Sequence, residues 1–171
     1  MQPNSRRVIT RDKYDAVLLD LDGVITDTAN LHAACWKQMF DEYLQKRAAQ
    51  RGEAFRPFDL VTDYRLYVDG KPRFDGVRDF LASRGIQLPE GHPDDPPQLE
   101  TVGGLGNRKN YLVNEIIEDL GVDPYEGCVK LIRQLRRRGF KIAVVTSSQN
   151  CAAVLSTAKL DAFSTSGSTA T

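Results

Sequence analysis

The string Ala16-Val17-Leu18-Leu19-Asp20-Leu21-Asp22-Gly23 limits this chain more than any other. The leading aliphatic run is short and does not alternate, which is the pattern of a strand buried on both faces of a parallel sheet. In open parallel sheets, ligands sit beyond the carboxyl ends of the strands, and Asp20 and Asp22 fall at that end. Residues two apart on an extended chain project to the same side, so the two carboxylates share one small space. At about 5 Å and an effective dielectric of about 20 they repel by roughly 3 kcal/mol. A fold keeps such a pair if a cation sits there, or if one carboxyl holds its proton. Either arrangement is useful chemistry, and with a divalent metal one aspartate can attack phosphorus while the other handles protons. Gly23 lets the backbone turn away where a side chain would block a ligand.

The bulk properties exclude several classes. The chain has 171 residues, enough for one domain and its core, and 23 basic residues balance 23 acidic ones. A net charge of zero gives no long-range field to collect nucleic acid or an anionic membrane. No apolar run approaches a bilayer span, and the first fifteen residues lack a secretory core. Cys35, Cys128 and Cys151 are odd in number and far apart, the usage of reduced thiols in the cytoplasm.

Residues 1–13 are polar and expected to be loose. After the first strand, Leu31, Cys35, Trp36, Met39, Phe40, Tyr43 and Leu44 trace one helical stripe from about Ala29 to Gly52. Residues 55–70 read as a helix or compact loop with a buried side. Phe74, Val77, Phe80 and Leu81 continue at helical spacing to Gly85. The proline- and glycine-rich residues 86–106 are expected to be an exposed loop. Helices follow over about 108–120, with Asn107 as a candidate cap, and about 124–138. The arginines of the second, Arg133, Arg136, Arg137 and Arg138, read as a solvated helix end favoured by the macrodipole rather than a nucleic-acid patch. Residues 140–145 form a second apolar strand. It ends in Thr146, Ser147 and Ser148 and runs through Asn150 into a helix, an arrangement that turns backbone N–H groups toward an anion. Ordinary N-capping by Ser148 or Asn150 is the competing reading.

With these motifs placed, DLDGVITDT followed by His32 and Trp36 closely resembles the haloacid-dehalogenase superfamily, and its β-phosphoglucomutase-like subfamily in particular. The resemblance implies an α/β fold: a Rossmann-like parallel-sheet core, incomplete here, with an inserted all-helical cap. Residues 14–28 and 123–163 would form the partial core, 29–122 the cap, and 164–171 a disordered tail. It implies that Asp20 is the nucleophile that becomes an aspartyl phosphate and Asp22 the general acid and base. Asp20 and Asp22, the latter through its main-chain carbonyl, would hold Mg2+. Thr146, with Ser147, Ser148 and Asn150 nearby, would hold the transferring phosphate. Thr28 and His32 would stand at the hinge, Trp36 would form an aromatic wall, and Arg73 would take the distal phosphate of a phosphosugar. Lys109 and Asn110 would reach the sugar.

The family also supplies a lysine motif and acidic metal ligands after this point, and neither has a counterpart in this sequence. Lys71-Pro72 with Asp75 precedes the second strand, and Lys159 lies within a helix pattern. The expectation is therefore a C-terminally truncated chain with low or no turnover and an apolar sheet edge open to self-association. Two other readings remain: a non-catalytic fragment that binds a partner or a piece of its parent, and a receiver-type phosphoacceptor module. The long helical insert argues against the last.

Overall fold

The computed structural model describes residues 9–148 and 150–158. Two four-residue strands, β1 (Ala16–Leu19) and β2 (Lys141–Val144), pair in parallel. Leu19 faces Val144, and the ladder continues one bond further, from Val145 N–H to the Leu19 carbonyl at 2.9 Å. Between the strands run α1 (Ala29–Arg51), a π-helical turn (Tyr64–Val68), α2 (Arg73–Ser83), α3 (Val102–Leu120) and α4 (Glu126–Arg137). α5 (Cys151–Thr157) follows β2. None of these helices is long and apolar enough to cross a membrane. The expected disordered tail, 164–171, lies outside the described residues. Residues 9–13, grouped with a loose N-terminus, make a turn closed by Tyr14 N–H on the Thr10 carbonyl, with Arg138 donating to the Ile9 carbonyl.

β1 is not buried on both faces. Val17 and Leu19 pack with Ile142 and Val144 against Ile132, Leu135 and Val154, but Leu18 is 67% exposed. The reason is layer count. Among the described residues the sheet has two strands and helices on one face, so alternate side chains meet water despite an unbroken apolar run.

Apolar side chains gather in two clusters. One lies on the sheet and takes in Leu21, Ile25, Ile132 and Val154, together with Cys35 of α1 and Val113 and Ile117 of α3. The other lies among the inserted helices: Trp36, Phe40, Phe58, Phe80 and Leu105 belong to it. α1 and α3 therefore thread both clusters. The first two turns of α1 and the last turns of α3 serve the sheet, and the remainder serves the insert. Two linkers join the layers side by side, with Asp27 N–H on the Asp123 carbonyl and Tyr125 N–H on the Ile25 carbonyl. The Tyr125 hydroxyl donates to Asp27 at 2.8 Å.

The expected loop over 86–106 is partly wrong. α3 begins at Val102, six residues before the expected 108, and its first turn is buried. Thr101 is the cap, its hydroxyl accepting from Gly104 N–H at 2.9 Å, while Asn107 lies within the helix. The glycines that looked like breakers are points of close approach. A Cβ on Gly104 would lie 2.2 Å from the Leu99 carbonyl oxygen, and one on Gly103 2.2 Å from that of His92. Glycine to alanine inside a helix ordinarily stabilises by about 0.5–1 kcal/mol. Gly104→Ala is expected to reverse that sign and cost about 1–3 kcal/mol, because backbone must move. Urea melts of the two chains check it.

Candidate active site at the junction of core and insert

The site is built on the loop that follows β1. Asp22 is partly buried, and its carboxylate is the hub. Thr28 occupies the N-cap position of α1, yet its side chain does not cap the helix. Its hydroxyl donates instead to Asp22 Oδ1. The Thr26 hydroxyl lies 2.9 Å from that of Thr28 and 3.2 Å from the Leu21 carbonyl, so its one proton is shared between two acceptors. His32, one turn into α1, brings Nε2 to 3.2 Å from the same Asp22 oxygen, with its N–H angled off the direct line. From the other strand, Thr146 Oγ1 reaches Asp22 Oδ2 at 3.5 Å. Parallel registry does this: both residues lie just beyond the carboxyl ends of paired strands.

Behind His32 stands Lys109 of α3, almost fully buried, with Nζ 2.7 Å from His32 Nδ1. An ammonium only donates, so Nδ1 accepts and the ring proton sits on Nε2, facing Asp22. Lys109 also lies 5.2 Å from the centre of the Trp36 ring. Burial alone would raise the Asp22 carboxyl. His32, Thr28 and Lys109 more than offset it and hold the carboxyl below its ordinary value. Burial brings the Lys109 ammonium down to about 8, with Cys35 and Asp22 pulling the other way.

Asp20 is exposed, and one of its oxygens accepts from Leu21 N–H at 2.7 Å. Ser147 is exposed. Thr146, Ser148 and Asn150 form a chain: Ser148 N–H donates to Thr146 Oγ1 at 3.0 Å, and Asn150 N–H to Ser148 Oγ at 3.2 Å. Asn150 takes the cap position of α5 without a side-chain capping bond. Trp36 is buried and stacked on Phe40, centroid to centroid 5.3 Å. Arg73, at the start of α2, is half-buried over the Phe74 ring and donates to Asn107 Oδ1 at 3.0 Å. Asn107 in turn donates to the carbonyls of Pro93 and Asp95, at 2.8 Å each, so its amide orients the guanidinium. Asn110, next to Lys109, is partly exposed and makes no side-chain hydrogen bond among the described residues.

Two contributors escaped the sequence reading. Thr26 is fully buried with its hydroxyl in the network; the Thr-x-Thr spacing, which puts both hydroxyls on one side, could have revealed it. Tyr64 read as an apolar residue. Burial, Asp69 and Asp22 together push its phenol up to about 12, which places it within electrostatic reach of the hub.

A magnesium ion needs hard oxygen donors. The Asp20 carboxylate and the Asp22 main-chain carbonyl are of that kind. Among the described residues no three His, Cys, Asp or Glu side chains converge into a cage. Magnesium commonly takes one or two carboxylates and leaves its other positions to water and phosphate oxygens. The donor set therefore fits in kind.

A parallel pair of strands with carboxylates beyond their ends, under a helical insert, defines an α/β class of fold. A model of the haloacid dehalogenase-like hydrolases matches residues 14–168, and the chain belongs to that family. It is 49% identical over 167 residues to a β-phosphoglucomutase of Mycobacterium bovis, covering 95% of this chain and 64% of that protein. An uncharacterized glycosyl hydrolase of Mycobacterium tuberculosis is 38% identical over 142 residues, which are 83% of this chain and 10% of the relative. This chain thus spans less than two thirds of the β-phosphoglucomutase it matches. Among solved structures, a hydrolase from Pseudomonas syringae superposes with a TM-score of 0.61 at 17% identity, covering 86% of this chain and 57% of that one. CbbY from Rhodobacter sphaeroides in complex with phosphate gives 0.56 at 20% identity, covering 84% and 56%. These two likenesses establish the shared fold.

Proposed function

We propose that this chain carries phosphoryl-transfer machinery for a phosphosugar, of phosphatase or β-phosphoglucomutase type. The observation that carries the reading is the Asp22 carboxylate, gripped at once by the loop after β2, the linker and the insert. Asp20 attacks phosphorus, the P–O bond to the sugar breaks, and an aspartyl phosphate forms. Asp22 gives a proton to the departing sugar oxygen. It then takes one from the water or hydroxyl that removes the phosphoryl group. His32, with its ring proton directed at Asp22 by Lys109, favours the carboxylate form, so the unliganded arrangement is set for the base role, and the acid role requires Asp22 to take up a proton from solvent as the substrate binds. Magnesium, when bound by Asp20 and the Asp22 carbonyl, supplies charge neutralisation for the phosphoryl oxygens. Thr146, Ser147, Ser148 and Asn150 would surround the transferring phosphate. Arg73 would take a distal phosphate, with Lys109 and Asn110 toward the sugar and Trp36 behind Lys109.

No cationic side chain pairs with Asp20 among the described residues, so the nucleophile meets a phosphate dianion with little compensation and turnover is expected to be weak. Single-turnover labelling is therefore the test. Label from a 32P-hexose phosphate with magnesium should remain on the acid-quenched wild-type chain and fall to background in Asp20→Asn. Equal label on both would sink the assignment, and rapid multiple turnover would refute the expectation of weakness.

A second reading, a fragment that acts by binding, is favoured by the bare sheet face, where Leu18 and Val145 are 67% and 54% exposed. A cooperative melt of a monomer that does not change with concentration would count against it.

A further inference from the structure

The end of the insert far from Asp22 carries a cavity of about 90 Å3. Its floor is apolar, from Leu44 and Ala48 of α1 and Ile86 just after α2, and its rim carries Arg47, Arg56 and Arg84 against one acid, Glu53. We propose that this cavity binds a small organic oxyanion, a carboxylate or phosphate head on a short apolar stem.

Charge and shape both support this. Arg84 is committed: it pairs with Asp63 at 2.5 Å, donates to the Pro57 carbonyl at 3.1 Å and lies over the Phe80 ring. That pair cancels itself. The lining is left with Arg47, hydrogen-bonded to Tyr43, and Arg56 facing Glu53, an excess of one positive side-chain charge that the carbonyl ends of α1 and α2 partly offset. α1 and α2 both end here, and their carbonyl ends account for arginines such as Arg47 and Arg84. They do not account for Arg56, which lies outside both helices, is exposed, and makes no side-chain bond among the described residues. A planar guanidinium fork without a partner at the mouth of a cavity suits a carboxylate or phosphate. The volume is about three times the share of one liquid water, room for a head group and a few carbons.

The wall that carries Arg56 is held in place. Glu53 N–H bonds the Ala48 carbonyl at 3.0 Å, and Phe58 N–H bonds Asp41 Oδ1 at 2.7 Å. The cavity is thus a shaped feature between two fixed points. Along α1, at about 1.5 Å per residue, Ala48 lies about 24 Å from His32, so the cavity is separate from the Asp22 site.

Amide NMR on the full chain tests the proposal, with butyrate and inorganic phosphate as probes at constant ionic strength and chloride as control. Saturable shifts at Ala48, Ala54 and Ile86 are expected with at least one probe, and butyrate against phosphate tells carboxylate from phosphate preference. Arg56→Gln, at an exposed side chain, should weaken binding about tenfold or more. Arg47→Gln should act likewise, and Asp20→Asn should leave these shifts unchanged. The proposal is overturned by shifts confined to residues 20–23, by an equal response to chloride, by no saturation with either probe, or by unchanged affinity in both arginine variants.

Discussion

Phe80→Ala is expected to lower the stability of the chain by about 3–5 kcal/mol, the cost of emptying a buried aromatic site. Phe80 is fully buried, with ring centroids 4.1 Å from Phe40, 4.9 Å from Phe58 and 6.2 Å from Tyr67. These neighbours come from α1, the segment after it and the π-helical turn, so no single element can move in to fill the space. The π-helical turn is itself hydrogen-bonded at both ends. Its closing bonds run five residues back, Asp69 N–H to the Tyr64 carbonyl at 3.0 Å and Tyr64 N–H to that of Asp59 at 3.2 Å. Arg84, whose guanidinium lies 5.0 Å from the Phe80 ring centre, would lose its platform and with it part of its hold on Asp63. In urea the midpoint should fall at unchanged slope. Leu120→Ala, at a side chain 82% exposed, should stay within about 0.5 kcal/mol. Similar small shifts for both would show that the aromatic cluster is not what holds the insert together.

The parts of the fold that were legible in the sequence are those set by local pattern. The run 16–19 and the stripe from Leu31 to Leu44 each carry their period within a few residues, and β1 and α1 form there. Gly52 could be read as a stop because a helix end calls for a left-handed residue, and its φ is +66°. Gly103, Gly104 and Gly106 misled because the same residue type also serves where backbone or a ring presses against a helix. Only the neighbours His92, Leu99 and Phe74 tell the two uses apart. The exposure of Leu18 was hidden for a related reason: a hydrophobic run reports what could be buried, not how many layers are there to bury it. In the site, Asp22 and Thr146 could be brought together from strand ends alone. The contact of Lys109 with His32, across 77 positions, has no local signature. Neither has the setting of Tyr64, whose ring suits a core equally well.

Lys109 should make stability rise with alkaline pH. Its folded value, about 8, lies below the ordinary 10.5, so the folded state sheds this proton first. Below about pH 8 the ammonium is charged in both states, and the fold bears the cost of burying it. Between about 8 and 10.5 the unfolded chain holds more protons than the folded one, and stability climbs with pH by an amount on the order of 3 kcal/mol. The gain is complete above the unfolded value and is lost as pH falls back through that window. Lys109→Met fills similar space without the charge. It relieves the buried charge but leaves His32 Nδ1 without its donor, a loss of about 1–3 kcal/mol that offsets much of that relief at pH 7. Its stability should lack the alkaline rise that Lys109 contributes. Other thiols and phenols titrate in the same window, so the difference between the two chains in urea melts from pH 7 to 10 isolates the lysine. The same substitution removes the donor that fixes the His32 ring proton on Nε2 and one of the charges that hold the Asp22 carboxyl low. The variant should therefore also show an Asp22 titration moved upward. Parallel stability profiles for the two chains would mean that Lys109 keeps its ordinary value in the folded state, against what its burial requires.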